Sequence, residues 1–317
     1  MAKFLKLRRE YLRQICASIC ARREPTDKQK HKSRNKSPRL PYLNFADGDN
    51  PVSVEFADRL IERLGFPLAE KPPLEQRSGS EFTDLTKQFV ESAFGLLAHL
   101  RPGEWRVTTS QAAELLAGYD QYAHLSEIAK LCREKPEIAA VLGGDYFVKP
   151  DILIGRCPVS DDEINEHAKL VDEDANVARM APLRLKNSLR NSATTSSGKK
   201  SGTADSAKLI LHATISCKWT LRSDRAQNAR TEALNLIRNR KGRTPHVVVV
   251  TMEPLPNRLA SIALGTGDID CTYHAALYEL LEVARESNHA DAVEALESLV
   301  ATRRLRDVSD LPMDLAT

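Results

Sequence analysis

Apolar side chains recur at helical spacing between Val52 and Leu64, with Val54, Phe56, Ala57, Leu60 and Ile61 on one face. The same period predicts a long helix from about Glu81 to His99, burying Phe82, Leu85, Phe89, Val90 and Phe94. Two shorter helical segments fill Ser110–Glu134, and a further helix is read over Phe4–Cys20. The pattern then changes. Tyr146–Gly155 alternates as a strand, with Pro150 placing it near an edge or a kink. Leu209–Thr220 reads as a second strand, after which Ser223 or Asp224 caps a helix that runs to about Asn239 and stops at Gly242. The β-branched run in His246–Thr251, HVVVVT, suits a strand buried on both faces. Helices are predicted over Ile269–Glu286 and Ala290–Arg303. This order makes an α/β chain built on a mixed sheet flanked by helices.

The gaps between these elements carry their own information. A turn at Ala46–Asn50 precedes the first amphipathic helix, and the linker Lys71-Pro72-Pro73 leads into a loop at Glu75–Gly79. Residues 185–207 are rich in Ser, Thr, Gly and Lys and short of large apolar groups, which reads as a mobile insertion. The expected organisation is a basic N-terminal arm over 1–40 and a single domain over 41–317.

Composition narrows the function classes. A chain of 317 residues with 42% hydrophobic residues can bury a sizeable core. Only 5% is aromatic, which argues against the stacking platforms of single-strand binders. Residues 1–40 hold 13 Lys and Arg against 3 Asp and Glu, whereas the remainder holds 33 against 40. A basic arm on a mildly acidic body suits salt-sensitive attraction to phosphate, and equally a solubilising tail. Six scattered cysteines form no Cys-x-x-Cys, so neither zinc nor a disulfide framework is indicated and a reducing compartment is. Arg13 and Gln14 interrupt any signal-peptide core, and no apolar run spans a membrane. The expected location is cytoplasmic, with no membrane partner.

Candidate chemistry gathers in Ser216–Arg243, SCKWTLRSDRAQNARTEALNLIRNRKGR. Strand alternation puts Ser216 and Lys218 on one face and Cys217 on the other. A lysine on an inner face needs a carboxylate partner. Asp151 and Glu232 are the candidates, and two carboxylates with one lysine can hold Mg²⁺, orient water and stabilise a phosphodiester transition state. Arg222, Asp224 and Arg225 sit at a helix start that favours phosphate, and Arg and Asp suit guanine and cytosine edges in the major groove. Plainer readings stand beside these. Pro-Asp forms turns, a strand lysine is commonly solvated, Glu232 can pair with Arg230 or Arg238, and Asp224 can simply cap its helix.

Together these residues carry a family resemblance. Pro150-Asp151, Ser216-Cys217-Lys218 and Glu232 resemble the P-D … S-x-K … E pattern of the CCGG-cutting restriction endonucleases, a variant of the PD-(D/E)xK nuclease fold. The likeness is to the NgoMIV-type enzymes and extends to YAHL at 122–125, PHVVVVT, SIALGTGDIDC and the closing SDLPMDL. It implies a restriction-endonuclease-like core and a Mg²⁺-dependent type II endonuclease. Asp151, the Cys217 carbonyl and Glu232 would then be metal ligands, and Lys218 would contact the scissile phosphate beside Ser216. Arg222, Asp224 and Arg225 would read the inner CCGG, Arg258 the outer guanine, and Gln76 the minor groove. It also implies homodimers paired into tetramers and a cognate DNA methyltransferase. Two positions depart from the family pattern: Thr83 stands where a glutamate is expected, flanked by Glu81 and Asp84, and Asp49 replaces a small hydroxyl residue. Asp49 could accept from an outer cytosine, which makes GCCGGC the expected site.

Two other functions fit the same residues less fully. One is a sequence-specific DNA-binding protein of this fold whose cleavage is weak or lost through Thr83. The other is a repair or recombination nuclease, which would have no use for an Arg/Asp/Arg reading head.

Overall fold

The computed structural model describes residues 1–25, 40–109, 113–142, 149–172, 177–185, 208–265 and 267–317. In chain order the elements are α1 (Lys3–Ser18), β1 (Arg22–Arg23), β2 (Tyr42–Leu43), α2 (Pro51–Leu64), α3 (Glu75–Gly95) and β3 (Trp105–Thr109). Next come α4 (Leu125–Glu134), α5 (Pro136–Leu142), β4 (Ile152–Arg156), β5 (Ile210–Lys218), α6 (Ser223–Asn239) and β6 (His246–Thr251). The chain closes with α7 (Pro256–Ala263), β7 (Cys271–His274), α8 (Leu277–Arg285), α9 (Ala290–Ala301), β8 (Leu305–Asp307) and a one-turn helix over Leu311–Asp314. The six longer strands follow the order β3-β4-β5-β6-β7-β8, with β3 antiparallel to β4 and β6, β7 and β8 parallel. The fold is therefore mixed α/β, with helices flanking a mixed sheet. No described helix is long and apolar enough to cross a membrane.

The chain divides into two compact units. Unit one holds Met1–Arg101, Ile215–Leu234 and His246–Thr317, and unit two holds Pro102–Thr214 and Asn235–Pro245.

In unit one, α2 forms where the sequence places it because both its ends are specified. Asn50 Oδ1 accepts from Val52 N and Ser53 N, Pro51 follows, and Gly65 ends the helix at a φ of 66°. Ser53 takes the buried position expected of Val54, because its hydroxyl accepts from Asp47 N at 2.9 Å. Helix α3 starts at Glu75, so the loop expected at Glu75–Gly79 is helical. Thr86 is buried in place of Leu85, satisfied by Phe82 O at 2.7 Å and the Tyr11 hydroxyl at 2.8 Å.

The N-terminal segment also differs from a solvated arm. Helix α1 buries Tyr11, Leu12, Ile15 and Cys16, and Tyr11 stacks on Phe89 of α3 at 5.0 Å. Arg8 donates to Asp307 at 2.8 Å from both Nε and Nη2, and to Glu279 at 2.8 and 2.6 Å. The basic stretch beyond this helix, 26–39, lies outside the described residues. Strands β7 and β8 are absent from the sequence reading, which made 269–286 one helix. Thr272 and Tyr273 suit a strand, and β6 on one side with β8 on the other satisfies their backbone.

Unit two contains β3, also missing from the sequence reading, in register with β4 from Thr109↔Ile152 to Trp105↔Arg156. Gly155 admits close approach here, since a Cβ would meet the Tyr119 ring at 2.6 Å. Gln121 acts as a strand surrogate, donating to Leu211 O at 2.7 Å and accepting from Leu211 N at 2.9 Å. Arg184 is clamped on Asp161 at 2.6 and 2.7 Å, immediately before the proposed insertion. Residues 186–207 of that insertion, and 146–148 of the expected Tyr146–Gly155 strand, lie outside the described residues.

Candidate active site

Strand β5 ends on Ser216, Cys217 and Lys218, within unit one. Ser216 and Lys218 share a face and meet the same carboxylate. Ser216 Oγ donates to Glu232 Oε2 at 3.2 Å, and Lys218 Nζ lies 3.8 Å from that oxygen. The Lys218 side chain is only 15% exposed, so the pair interacts more strongly than solvated charges would. Arg230, a rival partner for Glu232 in the sequence, turns elsewhere. It reaches Asp268 at 3.5 Å and the carbonyls of Ser261, Ile262 and Leu264. Cys217 is buried.

Asp151 stands in unit two on the residue before β4, half-buried behind a buried Pro150. Ser216, Lys218 and Glu232 are thus brought together within unit one. Among the described residues no three His, Cys, Asp or Glu side chains gather as a metal cage. A Mg²⁺ site of carboxylates, a main-chain carbonyl and water requires no such cage, and the oxygens of Glu232 suit a hard cation. Thr83 lies on α3 with its hydroxyl donating to Gly79 O at 3.1 Å, while Glu81 is half-buried and Asp84 exposed. Gln76 is the second residue of α3; its side chain lies outside what the structure describes.

Immediately after β5, Trp219 is buried against Phe45 at 5.5 Å and Phe82 at 5.2 Å. This anchor fixes the short step between Lys218 and the arginines. The Arg222 carbonyl accepts from Ala226 N at 3.0 Å, so Arg222 itself holds the N-cap position expected of Ser223 or Asp224. Asp224 falls in the first turn and is exposed, as is Arg222. Arg225 is half-buried and donates to Thr220 Oγ1 at 2.8 Å. Arg222, Arg225 and Arg258 line one cleft of about 310 Å³ together with Asp47 and Trp219.

Arg258, on α7, is ion-paired to Asp47. Asp49 donates its backbone N–H to Asp47 Oδ1 at 3.1 Å and is one of the residues lining a separate groove with Tyr42 and Val54. Asp47 is therefore the acidic residue of this turn beside Arg258, and the sequence reading did not single it out.

The sequence reading also missed Glu253. A carboxylate placed directly after an unbroken buried strand was the available signal, since it must find partners. It is fully buried, and Oε2 accepts from Leu221 N at 2.7 Å while Oε1 accepts from Leu255 N at 3.2 Å. Burial pushes its carboxyl up to about 7; the Leu221 N–H, Arg258 and the Leu255 N–H oppose that shift without cancelling it.

Comparison with known proteins identifies the family. The family model described as NgoMIV restriction enzyme matches residues 29–317. The type II restriction enzyme NgoMIV of Neisseria gonorrhoeae is 47% identical over 276 residues, covering 86% of this chain and 90% of that relative. The chain belongs to the NgoMIV restriction enzyme family, and it is a type II restriction endonuclease.

Proposed function

We propose that the enzyme hydrolyses double-stranded DNA at a CCGG-cored palindrome, GCCGGC, and leaves 5′ overhangs. The observation that carries this reading is the short, Trp219-anchored step from the Ser216–Lys218–Glu232 cluster to the cleft of Arg222, Arg225 and Arg258. A base-reading surface joined rigidly to a phosphate-cutting one ties the cut to the sequence.

Asp151, the Cys217 carbonyl and Glu232 would hold Mg²⁺, whose chemistry is to polarise the phosphate and lower the pKa of bound water. Ser216 holds the Glu232 carboxylate in place. The Lys218 ammonium contacts the scissile phosphate, offsets its developing charge and orients the attacking water. Arg222, Asp224 and Arg225 read the inner G·C pairs, Arg258 the outer guanine, Asp49 the outer cytosine, and Gln76 the minor groove. The enzyme works in the cytoplasm as homodimers paired into a tetramer that holds two sites. A DNA methyltransferase of the same specificity protects the host.

With Mg²⁺, a plasmid bearing two GCCGGC sites is cut faster than one bearing a single site, and a plasmid without the sequence is left intact. Sequencing the product ends checks site and stagger together. Equal cutting of all three plasmids sinks the proposed specificity, and specific binding without cutting favours a sequence-specific DNA-binding protein of the same fold. Arg222→Ala weakens binding to the cognate duplex by about 1–3 kcal/mol for the lost bidentate contact, measured by anisotropy titration. An unchanged affinity would remove Arg222 from the reading head.

A further inference from the structure

We infer that Glu253 is a positioning residue that sets the two base-reading segments in register with each other. Resting on the reading of Arg222, Arg225 and Arg258 given above, the inference follows from what this carboxylate joins. Its Oε2 takes the Leu221 N–H, one residue before Arg222, and its Oε1 takes the Leu255 N–H, the N-cap of the helix that carries Arg258. One side chain therefore ties the end of the β5 segment to the start of α7. Arg258 Nη1 lies 3.8 Å from Glu253 Oε2, which biases the guanidinium toward the cleft it shares with Arg222 and Arg225.

The surroundings leave little freedom for another arrangement. Glu253 N donates to Thr251 Oγ1 at 3.2 Å, and its carbonyl is paired with His274 Nε2 at 3.1 Å, so the main chain is pinned to β6 and β7. The charged groups facing the carboxylate are Arg258 and Asp47, while the titratable His274 lies against the Glu253 carbonyl. Burial holds His274 down at about 4, so it stays neutral near pH 7, where Glu253 changes charge. Only the ionised carboxylate accepts fully from both N–H groups and pairs with Arg258. Discrimination between sites accordingly strengthens as pH rises through about 7.

Stability moves the opposite way. Folding raises the carboxyl from 4.5 to about 7, so its stabilising contribution is complete below 4.5 and is lost as pH rises through about 7. A purely structural Glu253 would show only this second trend.

The test measures anisotropy binding of GCCGGC and of a duplex with one inner base pair exchanged, from about pH 6 to about pH 8. Wild type, Glu253→Gln and Arg222→Ala are compared, each with a urea unfolding curve. The expected result is that the discrimination ratio of wild type rises with pH. Glu253→Gln lowers that ratio by about ten-fold and flattens its profile, while binding to an unrelated duplex hardly changes. A wild-type ratio that is flat or falls with pH overturns the inference, whether or not the glutamine variant folds. So does a Gln variant with the wild-type ratio and profile. If Arg222→Ala also leaves discrimination intact, the reading of the arginines fails with it; if Arg222→Ala lowers it, only the role of Glu253 is lost.

Discussion

Lys218→Ala loses DNA cleavage by at least about 10²–10³-fold, while affinity for the cognate duplex stays within a few fold of wild type. The asymmetry follows from where the ammonium sits. It shares Glu232 Oε2 with the Ser216 hydroxyl, at 3.8 Å, and is separated from the arginine cleft by the buried Trp219. A charge placed where negative charge grows during phosphodiester attack acts mainly on the transition state, so removing it raises the barrier more than it weakens binding. Arginine is a poor substitute, because its planar fork cannot present the same compact point charge. Single-turnover cleavage beside anisotropy titration separates the two effects. Binding and cleavage falling in parallel would make Lys218 a structural or DNA-binding residue instead.

Arg8→Ala destabilises the protein by about 3–5 kcal/mol in urea unfolding at neutral pH. Arg8 is 8% exposed and satisfies two oxygens of Asp307, whose side chain is fully buried, as well as both oxygens of Glu279. Truncation strands Asp307 without its cation. Leu277 N and the Ser309 N–H and hydroxyl still donate to that carboxylate, so the anion keeps some stabilisation. In the Arg8→Ala background, Asp307→Asn recovers part of the loss, because the orphaned charge is removed while an acceptor remains. A cost under about 1 kcal/mol, the range of exposed ion pairs, would show that α1 is held loosely.

Both predictions concern residues whose types were visible in the sequence and whose roles were legible to different degrees. Lys218 and Glu232 could be paired from strand alternation and the following helix, because local periodicity dictates which side chains share a face. Arg8 could not. It looked like one of many basic residues in a charged segment, and its partners lie 271 and 299 positions away. The same limit hid β7 and β8: Thr272 and Tyr273 read as part of a helical stretch, and only neighbouring strands give them a ladder.

The turn at Ala46–Asn50 shows the limit at a single position. Sequence placed an acidic group there and singled out Asp49, yet the acidic side chain beside Arg258 is Asp47. Two aspartates in one turn are equivalent by composition and differ only in where the turn aims them. Glu253 is similar. Its position after HVVVVT was a signal that the sequence reading passed over, and the two N–H groups it joins come from segments that sequence cannot bring together.

The sequence by itself determined most of the buried faces of α2 and α3, the buried character of β6, the alternation that aligns Ser216 with Lys218, and the motif pattern of a restriction endonuclease. Each depends on spacing within one segment or on residue identity. The tertiary structure alone decided that Ser216 and Lys218 share one oxygen of Glu232 and that Arg230 turns away to Asp268. It also decided that the three arginines line one cleft and that α1 is locked by Asp307 and Glu279. These are contacts between distant segments, set by how elements bury their apolar faces, and no local pattern encodes them.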